Sequence, residues 1–364
     1  MKKIGILTFH WAFNYGAVLQ CYALFSYIKS LGYNVEIIDY RPQWAYSCRH
    51  PKFPKGIGQL VKTIDYYAKK RIFRAFVSKH LKISSFAANQ ANAFSDFSIV
   101  IVGSDQVFNP DIIAPKGILD KMYLLDIPLF DTTKKISYAA SFGNSTLDAQ
   151  YIPQYEKALG QFKKVSVREK SGLAILESLN ISERHCVTDP TFLIESYSGL
   201  NLPKISKEKY VLTFFFQSSN LTHSASMYVS NYFEDLKIKN ISSLYKKLRY
   251  DRKSVSNLTP SEWIACIRDA RFVITDSFHC VVFSIIMHTP FIAIALDAWG
   301  NDWSERIRFL LSELDLSERL LKSDDISKIK QIIETPINWE NIDSKVNLFR
   351  ESSQDFLIEA LRDG

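Results

Sequence analysis

The sequence predicts an α/β protein with two Rossmann-like, doubly wound domains that face a cleft. Short runs of β-branched and aromatic residues alternate with helix-length segments along almost the whole chain, which is typical of parallel sheets covered by helices on both faces. A polar stretch at residues 202–209, LPKISKEK, divides this alternation into two series. The length of 364 residues is sufficient for two domains of ordinary size.

The first series predicts an N-terminal domain over residues 1–200. It begins with a strand, followed by a helix that starts at a capping Asn14 and ends at Gly32. A basic helical insertion at residues 41–85 comes after the second strand. The predicted strands, most of them rich in β-branched or aromatic residues, are KKIGILTFH, YNVEIIDY, FSIVIVGSD, KKISYAASFG, KKVSVRE and HCVTDP.

The second series predicts a C-terminal domain over residues 205–345 and a final helix over residues 346–364. Its predicted strands are KYVLTFFFQ, RFVIT and PFIAIAL. Its predicted helices are SNLTHSASMYVSNYFEDLK, SEWIACIRDA, SFHCVVFSIIMH, WSERIRFLLSELD, ISKIKQIIE and NIDSKVNLFRESSQDFLIEALRD. Ligands of such folds bind outside the carboxyl ends of the strands, so the cleft between the domains is the predicted site.

The composition excludes several classes of protein. With 47% apolar and 23% charged residues, it is that of a globular chain. No stretch approaches the ~18 consecutive apolar residues of a membrane span, and the first apolar run is too short for a signal peptide. The five cysteines are scattered without CxxC spacing, which predicts a cytoplasmic protein without disulfides or a zinc site.

Positive charge is concentrated in one segment. Residues 41–82 contain eleven Lys or Arg and one acid, Asp65, a net charge of 11 − 1 = +10 against +7 for the whole chain. Apolar residues recur there at helical spacing, which predicts amphipathic helices with a basic outer face; they are Ile57, Leu60, Val61, Ile64, Ala68, Ile72, Phe73, Phe76, Val77 and Leu81. That face is either simply solvated or attracted to a membrane surface or a diphosphate-bearing substrate. No recognition motif for nucleic acid accompanies it.

Polar residues follow the predicted strand RFVIT where it meets a predicted helix. Asp276 and Ser277 place a helix N-terminus at residues 277–280, where backbone N–H groups and the helix dipole attract phosphate or carboxylate. His279, in the first turn, adds a hydrogen bond or a proton. The alternative is a capped, buried helix whose histidine is satisfied by a neighbouring strand.

Other strand ends carry candidate residues as well. Arg168, after KKVSVRE, offers a planar fork of donors for carboxylate or phosphate, or else an ion pair with Glu169 or another acid. In VGSDQVFNP, residues 102–110, short hydrogen-bonding side chains suit sugar hydroxyls, and Asp105 suits a general base. The alternative there is a turn before Pro110.

Familiar catalytic signatures are absent from the sequence. There is no HExxH motif, no GxSxG elbow, and no glycine pattern of a dinucleotide or P-loop site. His279 and Cys280 are adjacent, and adjacent side chains diverge on a helix, so a Cys–His dyad is not expected there. No acidic cluster is present that predicts a metal site.

Together these motifs resemble the polysaccharide pyruvyl transferase family. The matching segments, in the family's order, are KIGILTFHWAFNYGAVLQCYAL, VGSDQVFNP, SYAASFG, VSVREKSG, VTDPTFL, ITDSFHCVVFSIIMHTPFIAI and NDWSERIRFLLSELDLSER. They cover most of the chain, whereas residues 41–82 match only as a basic helical insertion. Family members often carry glycine after the histidine, where this chain has the small residue Cys280.

The resemblance implies a GT-B-like architecture and a specific reaction. A pyruvyl group would pass from phosphoenolpyruvate onto two hydroxyls of a sugar in a bacterial surface polysaccharide (exopolysaccharide) or its lipid-linked precursor, forming a cyclic ketal and releasing phosphate. Phosphoenolpyruvate is then a co-substrate, and no metal or other cofactor is implied. Such acceptors are often carried on a lipid diphosphate, so peripheral contact of residues 41–82 with the cytoplasmic membrane face is expected.

Carried over residue by residue, the resemblance predicts the site. The predicted donor-binding residues are Arg168, Ser277, Phe278, His279 and Cys280. The predicted acceptor-binding residues are Asn14, Tyr15, Gly16, Asp105, Gln106 and Asn109. The predicted catalytic residues are His279, as phosphate ligand and proton donor, and Asp105, as base for a sugar hydroxyl.

Three rival functions remain compatible with these residues. The first is a GT-B glycosyltransferase that binds the diphosphate of a nucleotide sugar at the second-domain helix N-terminus. The second is a non-catalytic member that binds sugar or lipid. The third is nucleic-acid binding through residues 41–82, which requires a steeply salt-dependent affinity.

Overall fold

The computed structural model describes residues 3–45, 56–84, 97–234, 236–249, 251, 254–295, 297–298, 301–302, 304–322 and 325–362. It confirms the predicted α/β class, with two sheets of parallel strands that alternate with helices. The chain divides into two compact units. Unit 1 comprises Met1–Arg49, Val77–Glu195 and Val346–Gly364, and unit 2 comprises His50–Phe76 and Ser196–Lys345.

The regular elements have the following bounds. The strands are β1 Lys3–Leu7, β2 Asn34–Ile37, β3 Ile99–Asp105, β4 Lys134–Ala140, β5 Val165–Val167, β6 Arg184–Cys186, β7 Tyr210–Phe214, β8 Lys237–Ile241, β9 Phe272–Thr275, β10 Phe291–Ile294, β11 Asp297–Ala298, β12 Asn301–Asp302 and β13 Leu320–Leu321. The helices are α1 Tyr15–Ser30, α2 Ile57–His80, α3 Pro110–Ile113, α4 Ile152–Leu159, α5 Lys170–Ser178, α6 Asn220–Tyr232, α7 Leu244–Arg249, α8 Pro260–Asp269, α9 Phe278–Ile286, α10 Glu305–Glu313, α11 Ile329–Glu334 and α12 Trp339–Arg362.

The sheet of unit 1 has six strands in the order β2-β1-β3-β4-β5-β6, and every adjacent pair is parallel. Its central strands are apolar and buried because helices cover both faces of a parallel sheet. The chain moves outward in opposite directions from β1 and from β3. The switch point of this unit therefore lies at the carboxyl ends of β1 and β3, where doubly wound folds bind ligands.

The helix after β1 begins and ends as the sequence predicts. The Asn14 side chain accepts hydrogen bonds from the backbone N–H groups of Gly16 and Ala17, at 2.9 and 3.3 Å. Gly32, just beyond the last turn of α1, has a φ of 87°, a conformation that costs glycine little and other residues more. These caps define the two ends of α1.

The sheet of unit 2 repeats the same strand order on a smaller scale. Its order is β13-β10-β9-β7-β8, again with parallel neighbours, and the switch point lies at the carboxyl ends of β7 and β9. Two of its strands, β8 and β13, are absent from the sequence-based prediction. β8 is an edge strand that contains Lys237, Lys239 and Asn240, and polar side chains of this kind protect a sheet edge but conceal a strand in the sequence.

Domain boundaries differ from the predicted ranges in three places. The chain passes from unit 1 to unit 2 at 195/196, the segment 50–76 of the predicted insertion groups with unit 2, and residues 346–364 group with unit 1. The Asp65 carboxylate on α2 accepts the N–H of Leu244 at 3.1 Å, which links α2 to α7 of unit 2. Within residues 346–364, the Ser353 hydroxyl accepts the Thr188 N–H at 2.9 Å in unit 1.

The orientation of α2 partly contradicts the prediction. Phe73, Phe76 and Val77 are buried as expected, but Ile57 and Leu60 are exposed, as is Ile64. Apolar periodicity identified a helix correctly, yet it did not distinguish the apolar side that packs from the apolar side that faces solvent. Arg49, Lys52 and Lys55 of the basic segment lie outside the described residues.

Candidate functional site

In unit 2, polar side chains tie together the two loops at the switch point. The Thr275 hydroxyl at the end of β9 donates to the Phe214 carbonyl at 2.7 Å and accepts the Ser277 N–H at 3.0 Å. The next carboxylate, that of Asp276, accepts the N–H groups of Phe216 and Gln217 at 2.8 and 3.0 Å. The Asp276 carboxylate is thus hydrogen-bonded to the loop after β7, and these bonds hold the start of α9 in place.

The N-terminus of α9 lies at this switch point, as the sequence predicts for residues 277–280. Ser277 has extended backbone angles, and its hydroxyl accepts the Cys280 N–H at 3.4 Å, so it is the N-cap. His279 follows in the first turn and is only 7% exposed. A capped helix terminus with an imidazole in its first turn is suited to an anion such as a phosphate.

A cation near this helix terminus is missing from the sequence-based site. The guanidinium carbon of Arg306, on α10, lies 5.7 Å from the centre of the Phe278 ring, within range of a cation–π contact. This brings a positively charged group to the first turn of α9. The only signal in the sequence is that Arg306 falls within NDWSERIRFLL, a segment that resembles the family without an assigned role.

The Cys280 thiol is buried in α9 and has a raised pKa. Its side chain is fully buried, and burial raises the pKa of the thiol from 9.0 to about 12. The thiol is therefore protonated at neutral pH, and a protonated thiol is a poor nucleophile. This agrees with the expectation that His279 and Cys280 do not form a dyad.

In unit 1, the acceptor-side residues predicted from the sequence lie at the carboxyl ends of β1 and β3. Asn14, Tyr15 and Gly16 start α1, with Asn14 as its cap. The Thr8 hydroxyl after β1 donates to the Ser104 carbonyl of β3 at 3.1 Å, so the two strand ends are joined. The structure thus brings Asn14 and Asp105 to one switch point, 91 positions apart in the chain (105 − 14).

Asp105 has an unusual backbone conformation. Its φ is 69°, in the left-handed region that aspartate adopts at some cost, and such residues concentrate at functional sites. Its carboxylate accepts the Gln106 N–H at 3.0 Å and is partly exposed. The turn therefore presents a partly exposed carboxylate at the end of a buried strand.

Gln106 and Asn109 are held to each other rather than pointing freely outward. The Asn109 amide donates to the Gln106 side-chain oxygen at 2.6 Å, and its own oxygen accepts the Asp111 N–H as the cap of α3. Gly143, with a φ of 74°, lies directly against this pair: a Cβ there would be 2.9 Å from Asn109 Cγ and would overlap both amide groups. A side chain at residue 143 would therefore displace this pair.

Replacing Gly143 with alanine is expected to destabilise unit 1 by about 2–4 kcal/mol, since it adds overpacking to a left-handed backbone. It should also displace Gln106 and Asn109 and raise the KM for an acceptor more than kcat falls. Gly117→Ala is the matched control, because Gly117 has a φ of 77° and no atom within 4 Å of its Cβ position. Equal unfolding midpoints for the two variants would contradict the overlap.

Arg168 is buried in unit 1, at the carboxyl end of β5. One guanidinium nitrogen lies 2.5 Å from the Asp189 carboxylate, which also accepts the Thr191 N–H and hydroxyl. Burial alone would lower the Arg168 pKa, but the carboxylates of Asp189, Glu169 and Asp105 outweigh it and raise the pKa. Its predicted contact with a donor carboxylate stays a prediction, and the ion pair with Asp189 is what the structure shows.

An aromatic cluster beside β1 and β2 is also missing from the sequence-based site. Asp120 accepts the Tyr40 hydroxyl at 2.9 Å and the Trp44 indole N–H at 2.8 Å, and Trp11 donates to the Tyr123 hydroxyl at 3.2 Å. The rings meet edge to face, with 6.0 Å between the centres of Trp11 and Trp44. Trp11, Tyr40 and Trp44 are each partly exposed, and amphipathic rings of this kind suit the C–H faces and hydroxyls of a sugar.

Neither a membrane span nor a cluster of potential metal ligands is found in the described ranges. No helix there is long and apolar enough to cross a bilayer. No group of three or more His, Cys, Asp or Glu side chains comes together there in a way that would hold a metal ion.

Comparison with protein families identifies one match. A family model described as Polysaccharide pyruvyl transferase matches residues 14–297, a range that includes the ends of β3 and β9 and all of the predicted site residues. No protein among those with curated descriptions matches the chain in sequence.

Solved structures share the fold at low sequence identity. A UDP-GlcNAc 2-epimerase from Methanocaldococcus jannaschii has 12% identity, full coverage of both chains and a TM-score of 0.52. A UDP-GlcNAc 2-epimerase from Neisseria meningitidis bound to UDP-GlcNAc has 8% identity, full coverage of both chains and a TM-score of 0.54. UGT89C1 from Arabidopsis thaliana, complexed with UDP-L-rhamnose, has 13% identity, covers 100% of this chain and 95% of its own, and has a TM-score of 0.50. These likenesses confirm the GT-B-like fold.

Proposed function

The chain belongs to the polysaccharide pyruvyl transferase family, and on that premise we propose that it transfers a pyruvyl group from phosphoenolpyruvate onto two hydroxyls of a sugar. The product is a cyclic ketal on a surface polysaccharide or its lipid-linked precursor, and phosphate is released. The observation that carries the proposal is the family match over residues 14–297, because it includes the motifs at the switch points of both sheets. No metal or other cofactor is part of the proposal.

The first turn of α9 supports the donor half of the proposal. Phosphoenolpyruvate is a compact, multiply charged anion, so its pocket must supply backbone donors and positive charge. Ser277, Phe278 and Cys280 form the helix terminus, His279 adds an imidazole, and Arg306 adds a guanidinium close to Phe278. These groups suit the donor phosphate, and His279 is the proposed phosphate ligand and proton donor.

The reaction adds one proton to the methylene carbon and removes one from each of the two hydroxyls, so it requires a general acid and a general base; the remaining proton is taken up by the departing phosphate. Protonation of the methylene carbon makes C2 of the donor electrophilic, and a sugar hydroxyl adds there and loses its proton. The C2–O bond to phosphate then breaks, with the electron pair leaving on the phosphate. The second hydroxyl adds to C2, loses its proton and closes the ring. No oxidant or reductant enters these steps.

The switch point of unit 1 supports the acceptor half of the proposal. Asp105 is the proposed base, since its carboxylate emerges at the end of β3 on a left-handed turn. Asn14, Tyr15 and Gly16 line the neighbouring start of α1, and Gln106 and Asn109 follow Asp105. The aromatic cluster of Trp11, Tyr40, Trp44, Tyr123 and Asp120 supplies ring surfaces for a sugar on the same side of the sheet, beyond β1 and β2.

Glycosyl transfer from a nucleotide sugar is the second candidate function. It is favoured by one observation: proteins of this fold include one bound to UDP-GlcNAc and one complexed with UDP-L-rhamnose. Under this alternative the α9 terminus would bind a diphosphate instead of phosphoenolpyruvate. The family match favours pyruvyl transfer.

One assay separates the two functions. The purified protein is incubated with phosphoenolpyruvate and a panel of galactosides, mannosides and N-acetylhexosaminides, and released phosphate and product masses are measured. We expect phosphate release only when donor and one class of sugar are both present, with a product heavier than the acceptor by one pyruvate less one water. No release across the panel, together with thermal stabilisation by a nucleotide sugar and none by phosphoenolpyruvate, would support glycosyl transfer instead.

A further inference from the structure

The side of α2 that faces solvent carries an apolar stripe. Ile57, Leu60, Ile64 and Tyr67 are 84%, 48%, 51% and 53% exposed. Residues spaced by three and four positions share one side of a helix, so these side chains form a row about 15 Å long at 1.5 Å per residue. This solvent-facing stripe is defined by these four residues.

The opposite side of α2 is the one that packs. Asp65, Phe73 and Phe76 are buried there. Asp65 is the only acidic residue between 56 and 84, and its carboxylate is paired with Lys69 at 2.9 Å as well as with the Leu244 N–H. The negative charge of this region therefore faces inward, and the solvent-facing stripe is not needed for packing of the helix.

Basic side chains continue and flank the stripe. Arg71 and Arg74 extend the same helical row by about two more turns and are exposed, as are Lys62 and Lys79. Residues 56–84 contain seven Lys or Arg against Asp65, a net charge of 7 − 1 = +6. Lys69 and Lys82 are ion-paired with Asp65 and Glu36, so these two charges are partly compensated.

We propose that the solvent-facing stripe of α2 docks the protein onto an anionic lipid bilayer. A helix with a narrow apolar row, basic flanks and no acid on its exposed side lies in the plane of a membrane interface, with the apolar row among the acyl chains and the cations at the headgroups. The charge of α2 is complementary to anionic lipid, and its apolar row fits a fluid surface without a shaped pocket. This inference goes beyond the proposed function and does not depend on it.

Vesicle sedimentation tests the docking directly. The full chain is mixed with phosphatidylcholine vesicles with and without about 30 mol% phosphatidylglycerol, an anionic lipid that gives the vesicle surface a negative potential. We expect the wild type to sediment with the anionic vesicles only. Leu60→Gln/Ile64→Gln should bind at least about tenfold more weakly, because it removes two apolar side chains without changing charge. At low salt, where the wild type binds anionic vesicles, Arg71→Gln/Arg74→Gln should not bind them, because two of the basic side chains are removed.

The control variant is Ile118→Gln/Leu348→Gln, which removes two exposed apolar side chains elsewhere, 75% and 68% exposed. It should bind vesicles as the wild type does. Circular dichroism and thermal unfolding show whether each variant is folded. Equal binding of wild type and Leu60→Gln/Ile64→Gln would overturn the proposal, as would binding to neutral vesicles alone. It would also be overturned if the wild type ignored vesicles but formed a dimer that this variant dissociates, or bound a DNA duplex instead.

Discussion

Replacing His279 with alanine is expected to lower kcat for phosphate release by about 10²–10⁴-fold, the usual contribution of a positioned acid or base. The imidazole lies in the first turn of α9, at the switch point of unit 2, beside the helix terminus proposed for the donor phosphate. The Ser277 cap and the Thr275 and Asp276 contacts are retained in the variant. The α9 terminus should therefore stay in place while the proton donor is lost.

Two further variants sharpen this test. His279→Gln keeps a neutral hydrogen-bond donor, so it should bind phosphoenolpyruvate more nearly as the wild type does while remaining slow. His223→Ala is the matched control, because His223 is exposed in the first turn of α6 in the same unit and should be fully active. If His279→Ala were folded and turned over at the wild-type rate, the assignment of the donor site to α9 would be wrong.

Breaking the Arg168–Asp189 ion pair is expected to lower the unfolding free energy by up to about 3–5 kcal/mol, because each single substitution removes the closest opposite charge from a buried group. Asp189→Asn removes the carboxylate charge at nearly constant volume, and Arg168→Met removes the cation. Unfolding by guanidinium, followed by circular dichroism, measures the loss. The double variant should lose at least about 1 kcal/mol less than the sum of the two single losses, since the charges are in contact.

Additive losses would contradict the coupling that the 2.5 Å contact implies. The same variants also test the predicted donor contact of Arg168. KM for phosphoenolpyruvate is measured at a temperature where Arg168→Met is folded. An unchanged KM in this variant would show that Arg168 pairs with Asp189 and does not contact the donor. A KM raised in Arg168→Met and not in Gly117→Ala would support the donor contact that the family resemblance implies.

The sequence was informative where burial is complete on both faces of a sheet. The runs FSIVIVGSD, KKISYAASFG and RFVIT are apolar because β3, β4 and β9 lie in the middle of parallel sheets, and all three strands were predicted. β8 is a polar edge strand and β13 an edge strand of two residues, so neither carries this signal, whereas the edge strands β2 and β6 were predicted. The positions of Asn14, Asp105 and Ser277 at strand ends followed directly from the strand predictions.

The parts of the candidate site that escaped prediction depend on contacts between distant residues. Asp120 joins Tyr40 and Trp44 from about 80 positions along the chain (120 − 40), and nothing local marks it as their partner. Arg306 reaches Phe278 through the packing of α10 near α9, which a one-dimensional pattern does not contain. Spacing likewise cannot tell which of the two apolar sides of α2 is buried.

The return of the chain to unit 1 after unit 2 has a consequence for synthesis. Arg350 donates to the Phe192 carbonyl at 2.7 Å, Gln354 donates to the Leu193 carbonyl at 3.0 Å, and the Phe356 ring lies 4.8 Å from that of His185. During translation, these partners follow the whole of residues 196–345. Unit 1 therefore cannot be completed until the chain of unit 2 has been made, and the carbonyl groups that follow β6 lack these contacts until then.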